Sequence, residues 1–246
     1  DNISLGKWLS DPPIAGSDPS TLYVDATGVE RAIIGKSFEN PVKLRTWQDR
    51  VKSWSLDEDY IYIYGKRYGY AWAFPLGDDW WHIGAGGFHD WQVKYLIGML
   101  YKTYGVNLLR ESCHCSRPII WHPELSHIDP TERIAAIGEA GGFVSAFGEG
   151  NTLALETAKY LHDAILQAID EEPSNEYWQV KLAVEKYDNL VEKETAWIKP
   201  QYEFVRALNQ NFIKGLLKVR KVIKIANMRN LDVSVWDGLK LLWRLR

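Results

Sequence analysis

The chain has 246 residues, 46% hydrophobic and 25% charged, the proportions of an ordinary globular protein long enough for one or two buried cores. A net charge of −3 argues against nucleic acid as the main partner, because proteins that track phosphates carry a basic excess. Two cysteines, Cys113 and Cys115, exclude a disulfide-stapled scaffold.

Residues 1–20 are rich in Pro, Gly, Ser and Asp and are expected to form a loop. Thr21-Leu22-Tyr23-Val24 follows as a short buried strand that runs into Asp25-Ala26-Thr27-Gly28. Residues 42–48 and 60–64, then Tyr70 to Phe74 and Trp80 to Ile83, favour β structure. Gly77-Asp78-Asp79 supplies a hairpin turn between the last two, so 42–84 is expected to be mostly antiparallel sheet. Residues 90–104 carry a helical pattern, with Trp91, Tyr95, Leu96 and Leu100 on one face. A loop with Pro118, Pro123 and Pro130 is expected next. Arg133 to Ile137 is another short strand, ending in Gly138-Glu139-Ala140-Gly141-Gly142. A helix from about 149 to 169 would bury Ala154, Ala158, Leu161, Ile165 and Ala168. Residues 174–246 are expected to be helical, with breaks near Pro200 and Asn227. There is no repeat and no low-complexity segment.

Three constellations carry chemistry. In the first, a strand ends in Asp25-Ala26-Thr27-Gly28, where glycine lets the backbone approach a ligand closely. In the second, Gly138-Glu139-Ala140-Gly141-Gly142-Phe143 and Phe147-Gly148-Glu149-Gly150 deliver a carboxylate into a glycine-rich loop. That loop feeds a helix N-terminus, whose open N–H groups and dipole suit an electron-rich ring or a phosphate, while Glu139 suits a hydroxyl. The third is Tyr70-x-Trp72-x-Phe74-Pro75, eight residues, then Gly84-x-Gly86-Gly87. Tyr70, Trp72 and Phe74 share one face of a strand. That face either walls an apolar pocket or packs on helices, and periodicity does not separate the two.

In this order the three resemble the geranylgeranyl reductase family, with Tyr70, Trp72, Phe74, Pro75, Gly84 and Gly86 matching its substrate-domain motif. Asp25 to Gly28 looks like the second FAD motif of the wider p-hydroxybenzoate hydroxylase-like group. Gly138-Glu139-Ala140-Gly141-Gly142 with Gly148 and Gly150 looks like the third. The resemblance covers about residues 21–170, and its two flavin motifs are shared with monooxygenases and halogenases. In two places the sequence departs from the pattern. Glu139 stands where Asp is usual, one methylene longer, and Asn151 where an apolar residue is usual.

The resemblance implies an α+β, partial FAD-binding fold: FAD-domain remnant over 1–40, antiparallel-sheet substrate domain over 41–130, return to the FAD domain over 131–170, and C-terminal helices over 171–246. FAD would contact Asp25, Gly28, Gly138, Glu139, Gly141, Gly142, Gly148 and Gly150. Tyr70, Trp72, Phe74, Pro75, Gly84 and Gly86 would line a prenyl-lipid site, and the activity implied is reduction of its C=C bonds with an electron donor. The pyrophosphate-binding Gly-x-Gly-x-x-Gly turn occurs nowhere in the sequence. An N-terminal FAD-binding half or subunit is therefore an expected partner, and the chain alone is expected to bind FAD weakly. The alternatives are a flavin monooxygenase or halogenase and a non-catalytic subunit of a split flavoprotein.

Other residues are less specific. Cys113-x-Cys115 with His114 falls short of four zinc ligands, and His122 or His127 would have to complete the set, so no metal is expected. Cys113, Cys115 and His82 are candidate proton donors, with His89 a further histidine beside the Gly-x-Gly segment. No catalytic residue is assigned, and no Gly-x-Ser-x-Gly nucleophile motif occurs. No apolar run reaches the roughly 20 residues of a membrane span and no signal peptide opens the chain, so the expected address is cytoplasmic. Residues 201–246 nevertheless hold ten Lys/Arg against three Asp/Glu, net +7, leaving residues 1–200 at −10. There Phe212, Leu216, Val219 and Ile223 form a stripe opposite Lys214, Lys218 and Lys221. Trp236, Leu239, Leu242, Trp243 and Arg244 follow in a last helix. Such a segment either lies on the inner face of a membrane or packs on the body.

Overall fold

Strands β2 (Val42–Lys52), β3 (Tyr62–Lys66), β4 (Gly69–Gly77) and β5 (Trp80–Gly87) form an antiparallel sheet in which β5 lies between β4 and β2 in the computed structural model, which describes residues 19–35, 41–121, 126–148, 150–228, 234 and 240. The chain divides into two compact units, one of residues 1–41 and 120–199, the other of 42–119 and 200–246.

In the second unit the strand order is β3-β4-β5-β2-β6, with β6 at Arg110–Cys115. The β4–β5 turn carries Asp78 and Asp79 at φ 54° and 61°, the left-handed pair that a tight hairpin requires. Helix α1 (Asp90–Tyr104) covers one face of this sheet. Its Val93, Leu96 and Leu100 pack with Ala71, Ala73, Trp81, Ile83 and Ala85, all buried. The face expected from periodicity is rotated: Gln92 joins the buried side, whereas Trp91 and Tyr95 are exposed and lie against Tyr68.

Two expectations fail here. The loop after α1 contains β6 and β7 (Pro118–Trp121), both paired with β2. Arg-Glu-Ser-Cys-His-Cys has no strong β pattern of its own, and the open edge of β2 organises it. Nor does Pro200 break the C-terminal region: one helix, α3, runs from Glu176 to Gln210 with Pro200 inside it. Proline costs a helix one hydrogen bond, but Ile198 and Tyr202 on either side are buried and hold the turn in place. The break comes at Asn211, whose side-chain oxygen accepts the Ile213 N–H at 2.8 Å and starts α4 (Phe212–Met228).

The first unit holds a three-stranded sheet in the order β1-β9-β8. β1 (Tyr23–Asp25) runs parallel to β9 (Ile134–Ala136), pairing Tyr23 with Ile134 and Asp25 with Ala136. β8 (Ile128–Asp129) is antiparallel to β9. Helix α2 (Asn151–Glu171) buries Leu153, Thr157, Leu161, Ala164 and Ala168. This face is turned by about one residue from the expected one, because Thr157 bonds inward rather than facing water.

Candidate functional site

The two glycine-bearing turns lie side by side because β1 and β9 are adjacent and parallel, so both deliver their C-terminal ends to the same edge. Ligands bind at such an edge in open α/β sheets. A Cβ added to Gly28 would meet Glu139 Oε2 at 3.6 Å, so the sequence-distant Asp25–Gly28 and Gly138–Gly142 segments form one site.

Asp25 frames it. The residue is fully buried. Its Oδ1 accepts the Thr27 N–H and hydroxyl at 3.0 and 2.6 Å, and its Oδ2 the Ile33 and Ile34 N–H groups at 3.0 and 2.9 Å. Burial alone would raise the carboxyl pKa, but the hydrogen bonds from Thr27, Ile34 and Ile33 together hold it below the usual value. All four donors come from its own loop, so the expected direct cofactor contact gives way to a role in shaping residues 25–35.

The second turn is fixed from below. Gly138 donates to Thr157 Oγ1 at 3.0 Å, while that hydroxyl donates to the Leu153 carbonyl at 2.8 Å. Arg31, also buried, donates to the carbonyls of Ala140, Ser126 and Gly35. Burial lowers its pKa, opposed by Asp25. Tyr187 donates to the Ala136 carbonyl at 2.8 Å, and burial keeps its phenol protonated well above the usual range. Sequence reasoning missed Arg31, Thr157 and Tyr187, none of which stands in a motif.

Gly138, Gly142 and Gly148 adopt positive φ. Gly141 is needed for space, since a Cβ there would lie 2.6 Å from the Ala136 carbonyl oxygen. Gly150 precedes α2 and makes no side-chain cap, so the positive end of the helix dipole lies beside the glycine-rich loop. The parts suit the ribityl and ring side of a flavin: a carboxylate for hydroxyls, close-approach glycines and a helix N-terminus. No phosphate-binding glycine turn accompanies them in the sequence.

The aromatic-strand residues belong to the second unit. Register sets Tyr70 against Gly86, Trp72 against Gly84 and Phe74 against His82. Ala71 and Ala73 between them point to the α1 side. The aromatics therefore occupy the face opposite α1. Tyr70 and Trp72 lie 5.5 Å apart and Trp72 and Phe74 6.1 Å apart between ring centroids, and burial raises the Tyr70 pKa. Gly84 makes room for the Trp72 indole: a Cβ would fall 2.6 Å from Trp72 Cζ2. Pro75 is a correction. It pairs with Trp81 and opens the bulge before Gly77, so by parity it lies on the side of Ala71 and Ala73, not on the aromatic face. Gly69 was overlooked; a Cβ there would meet the Gly86 carbonyl oxygen at 1.9 Å.

Cys113 and Cys115 pair with Arg50 and Gln48, which pair in turn with His82 and Gly84. Both exposed thiols therefore share the aromatic face. His114 has the opposite parity and stacks on Trp47 with centroids 5.4 Å apart, so it does not face the two thiols across one ion. His122 and Glu149 lie outside the described residues. His127, in the first unit, bonds Asp188, and His89 is the N-cap residue of α1. No cluster of three or more metal-ligating side chains occurs among the described residues. Among them too, no helix is long and apolar enough to cross a membrane.

No family model matches the sequence. An uncharacterized protein of Methanocaldococcus jannaschii is 24% identical over 216 residues, covering 80% of this chain and 56% of its own length. A geranylgeranyl bacteriochlorophyll reductase-like protein of Thermoplasma acidophilum superposes with a TM-score of 0.62 at 16% identity, over 89% of this chain and 57% of that one. The chain shares a flavoprotein fold. A flavin-dependent brominase aligns at TM-score 0.55 and 15% identity, over 91% of this chain and 56% of its own. A flavoprotein/dehydrogenase of Cytophaga hutchinsonii gives 0.51 at 16%, over 90% and 61%. This chain thus spans a little over half the length of the relatives it matches.

Proposed function

We propose that the protein is an FAD-dependent reductase that saturates C=C bonds in the prenyl chain of a lipid. The observation that carries this reading is the sheet face lined by Tyr70, Trp72 and Phe74, which α1 leaves uncovered and which Gly84 and Gly86 keep low on the neighbouring strand. A continuous aromatic surface of this kind suits a long apolar chain better than a small polar substrate. The Trp72 indole N–H is buried with no partner among the described residues, leaving a donor for an acceptor atom on the ligand.

Reduced FAD, when bound, supplies hydride. Glu139 would accept hydrogen bonds from ribityl hydroxyls, and the N-terminal end of α2 would favour an electron-rich group with its dipole. Asp25, Arg31 and Thr157 keep those groups in place. An isolated alkene is a poor electrophile, so a proton must be delivered in a dry pocket. His82, Cys113 and Cys115 are the candidate donors on the aromatic face. A complementary FAD-binding segment would hold the pyrophosphate, for which this sequence has no Gly-x-Gly-x-x-Gly turn, and an electron donor would keep the flavin reduced.

The test is anaerobic incubation of the protein with a geranylgeranyl lipid and excess dithionite-reduced FAD, followed by mass spectrometry. The expected product has gained two hydrogens per reduced bond, and Trp72→Ala lowers its yield. Oxygen-dependent formation of a hydroxylated or halogenated product instead would assign the monooxygenase or halogenase reading, and no lipid product at saturating flavin would overturn the proposal. Tight FAD binding by this chain alone would remove the need for a complementary segment.

A further inference from the structure

Helix α4 is amphipathic in sequence, and the structure shows which face is already taken. Val219 and Ile223 are buried against Phe204 and Leu208 of α3, with Phe212, Leu216 and Val222 packed around them. The two helices touch closely at Gly215, where a Cβ would lie 2.7 Å from Leu208 Cδ1. The apolar stripe legible in the sequence therefore belongs to the fold and is not free to meet lipid.

The opposite face presents Ile213, Lys214, Leu217, Arg220, Lys221 and Lys224. Ile213 is 65% exposed and Leu217 81%, an unusual outlay for branched side chains on a helix that has already buried a full stripe. Residues 212–228 contain five Lys/Arg and no Asp or Glu. Lys218 and Lys221 share Glu203 at 3.1 and 3.7 Å. Lys214, Arg220 and Lys224 make no ion pair among the described residues.

We propose that this outer face of α4 is a docking surface for an anionic lipid bilayer. Two exposed apolar side chains amid cations, without an acid on the helix, match a surface that offers hydrocarbon beneath a layer of phosphates. A bilayer offers phosphates to every cation at once, whereas Glu203, the acid beside this face, is already shared by Lys218 and Lys221. Ile213 and Leu217 enter the headgroup region, and Lys214, Arg220 and Lys224 pair with phosphates. The surface stands apart from the reductase reading and survives its failure.

The test is cosedimentation of the protein with vesicles of phosphatidylcholine alone, and with vesicles in which about a third of the lipid is phosphatidylglycerol. Binding is expected only to the anionic vesicles, and is lost near 1 M salt, where charges are screened beyond about 3 Å. Arg220→Ala with Lys224→Ala weakens partitioning about twenty-five-fold, or about five-fold per cation, the equivalent of ~1 kcal/mol each. Leu217→Ser weakens it further, and the melting temperature is unchanged because these side chains are exposed. Equal binding to both vesicle types, no binding, or wild-type binding by the substituted proteins would overturn the proposal. So would a concentration-dependent dimer that Leu217→Ser dissociates, which would assign the face to a second copy of the chain.

Discussion

The Trp72 indole occupies the space above Gly84, its paired neighbour on the next strand: a Cβ on Gly84 would fall 2.6 Å from Trp72 Cζ2 and 2.5 Å from the Trp47 carbonyl oxygen. Gly86, paired with Tyr70, is different. A Cβ there meets nothing closer than 3.9 Å. Gly84→Ala is therefore expected to cost about 1–3 kcal/mol by overpacking and to shift the tryptophan emission as Trp72 moves. Gly86→Ala should stay within about 0.5 kcal/mol. Urea unfolding followed by fluorescence separates them, and equal losses would mean that Trp72 yields without strain.

A second contrast concerns the turn beside Glu139. Thr157 Oγ1 accepts the Gly138 N–H in a fully buried setting. Thr157→Val keeps the shape but leaves that N–H unpaired, at an expected cost of about 1–3 kcal/mol. Thr157→Ser restores most of the loss, since the oxygen returns and only a methyl is missing. Amide exchange at Gly138 should accelerate in the valine variant and not in the serine variant. Uniform exchange in both would show that the hydrogen bond does not hold the turn.

Much of this arrangement was legible in the sequence, because the residues that carry it obey local rules. The hairpin at Asp78-Asp79, the two strand-then-glycine turns and the alternation of Tyr70, Trp72 and Phe74 each rest on a period or a backbone requirement that single residues reveal. What escaped depends on partners far along the chain. β6 forms because β2 has an edge to offer. Arg31 and Thr157 matter because their acceptors and donors lie 109 and 19 residues away. Pro200 shows the converse: a strong local signal gives way when the residues on both sides are buried. Which face of α4 is covered was likewise hidden, since its apolar stripe is the same whether it meets Leu208 or lipid.

Asp25 links the first turn to acidity. Its folded pKa lies below the unfolded value, so the stability it contributes is fully present above about pH 3.9. That stability is lost as the pH falls through the lower, folded value. Asp25→Asn places an NH2 where either the Thr27 donors or the Ile33 and Ile34 N–H groups now point. At neutral pH it is expected to cost about 1–3 kcal/mol. The variant should also lose part of the dependence of unfolding free energy on pH below about 4, measured by urea titration. An unchanged acid slope would mean that another carboxylate carries it.

His127 gives the last test, and here the two influences oppose each other. Its ring is 15% exposed and lies 5.3 Å from Phe143 and 6.1 Å from Tyr187 between centroids. Burial among these rings lowers its pKa from the ordinary value and Arg31 adds to the lowering, while Asp188, 2.8 Å from Nε2, pulls the other way. With the folded pKa below the unfolded value of about 6.5, the neutral ring's contribution to stability is complete above that pH and is lost as the pH falls through the folded value. An NMR titration of the His127 ring should therefore give a midpoint under about 6.5. Asp188→Asn should move that midpoint lower still, because it removes the charge that favours the protonated ring. A midpoint that rose in the Asp188→Asn protein would show that the carboxylate acts by burying the ring rather than by its charge, and would reverse the account of this contact.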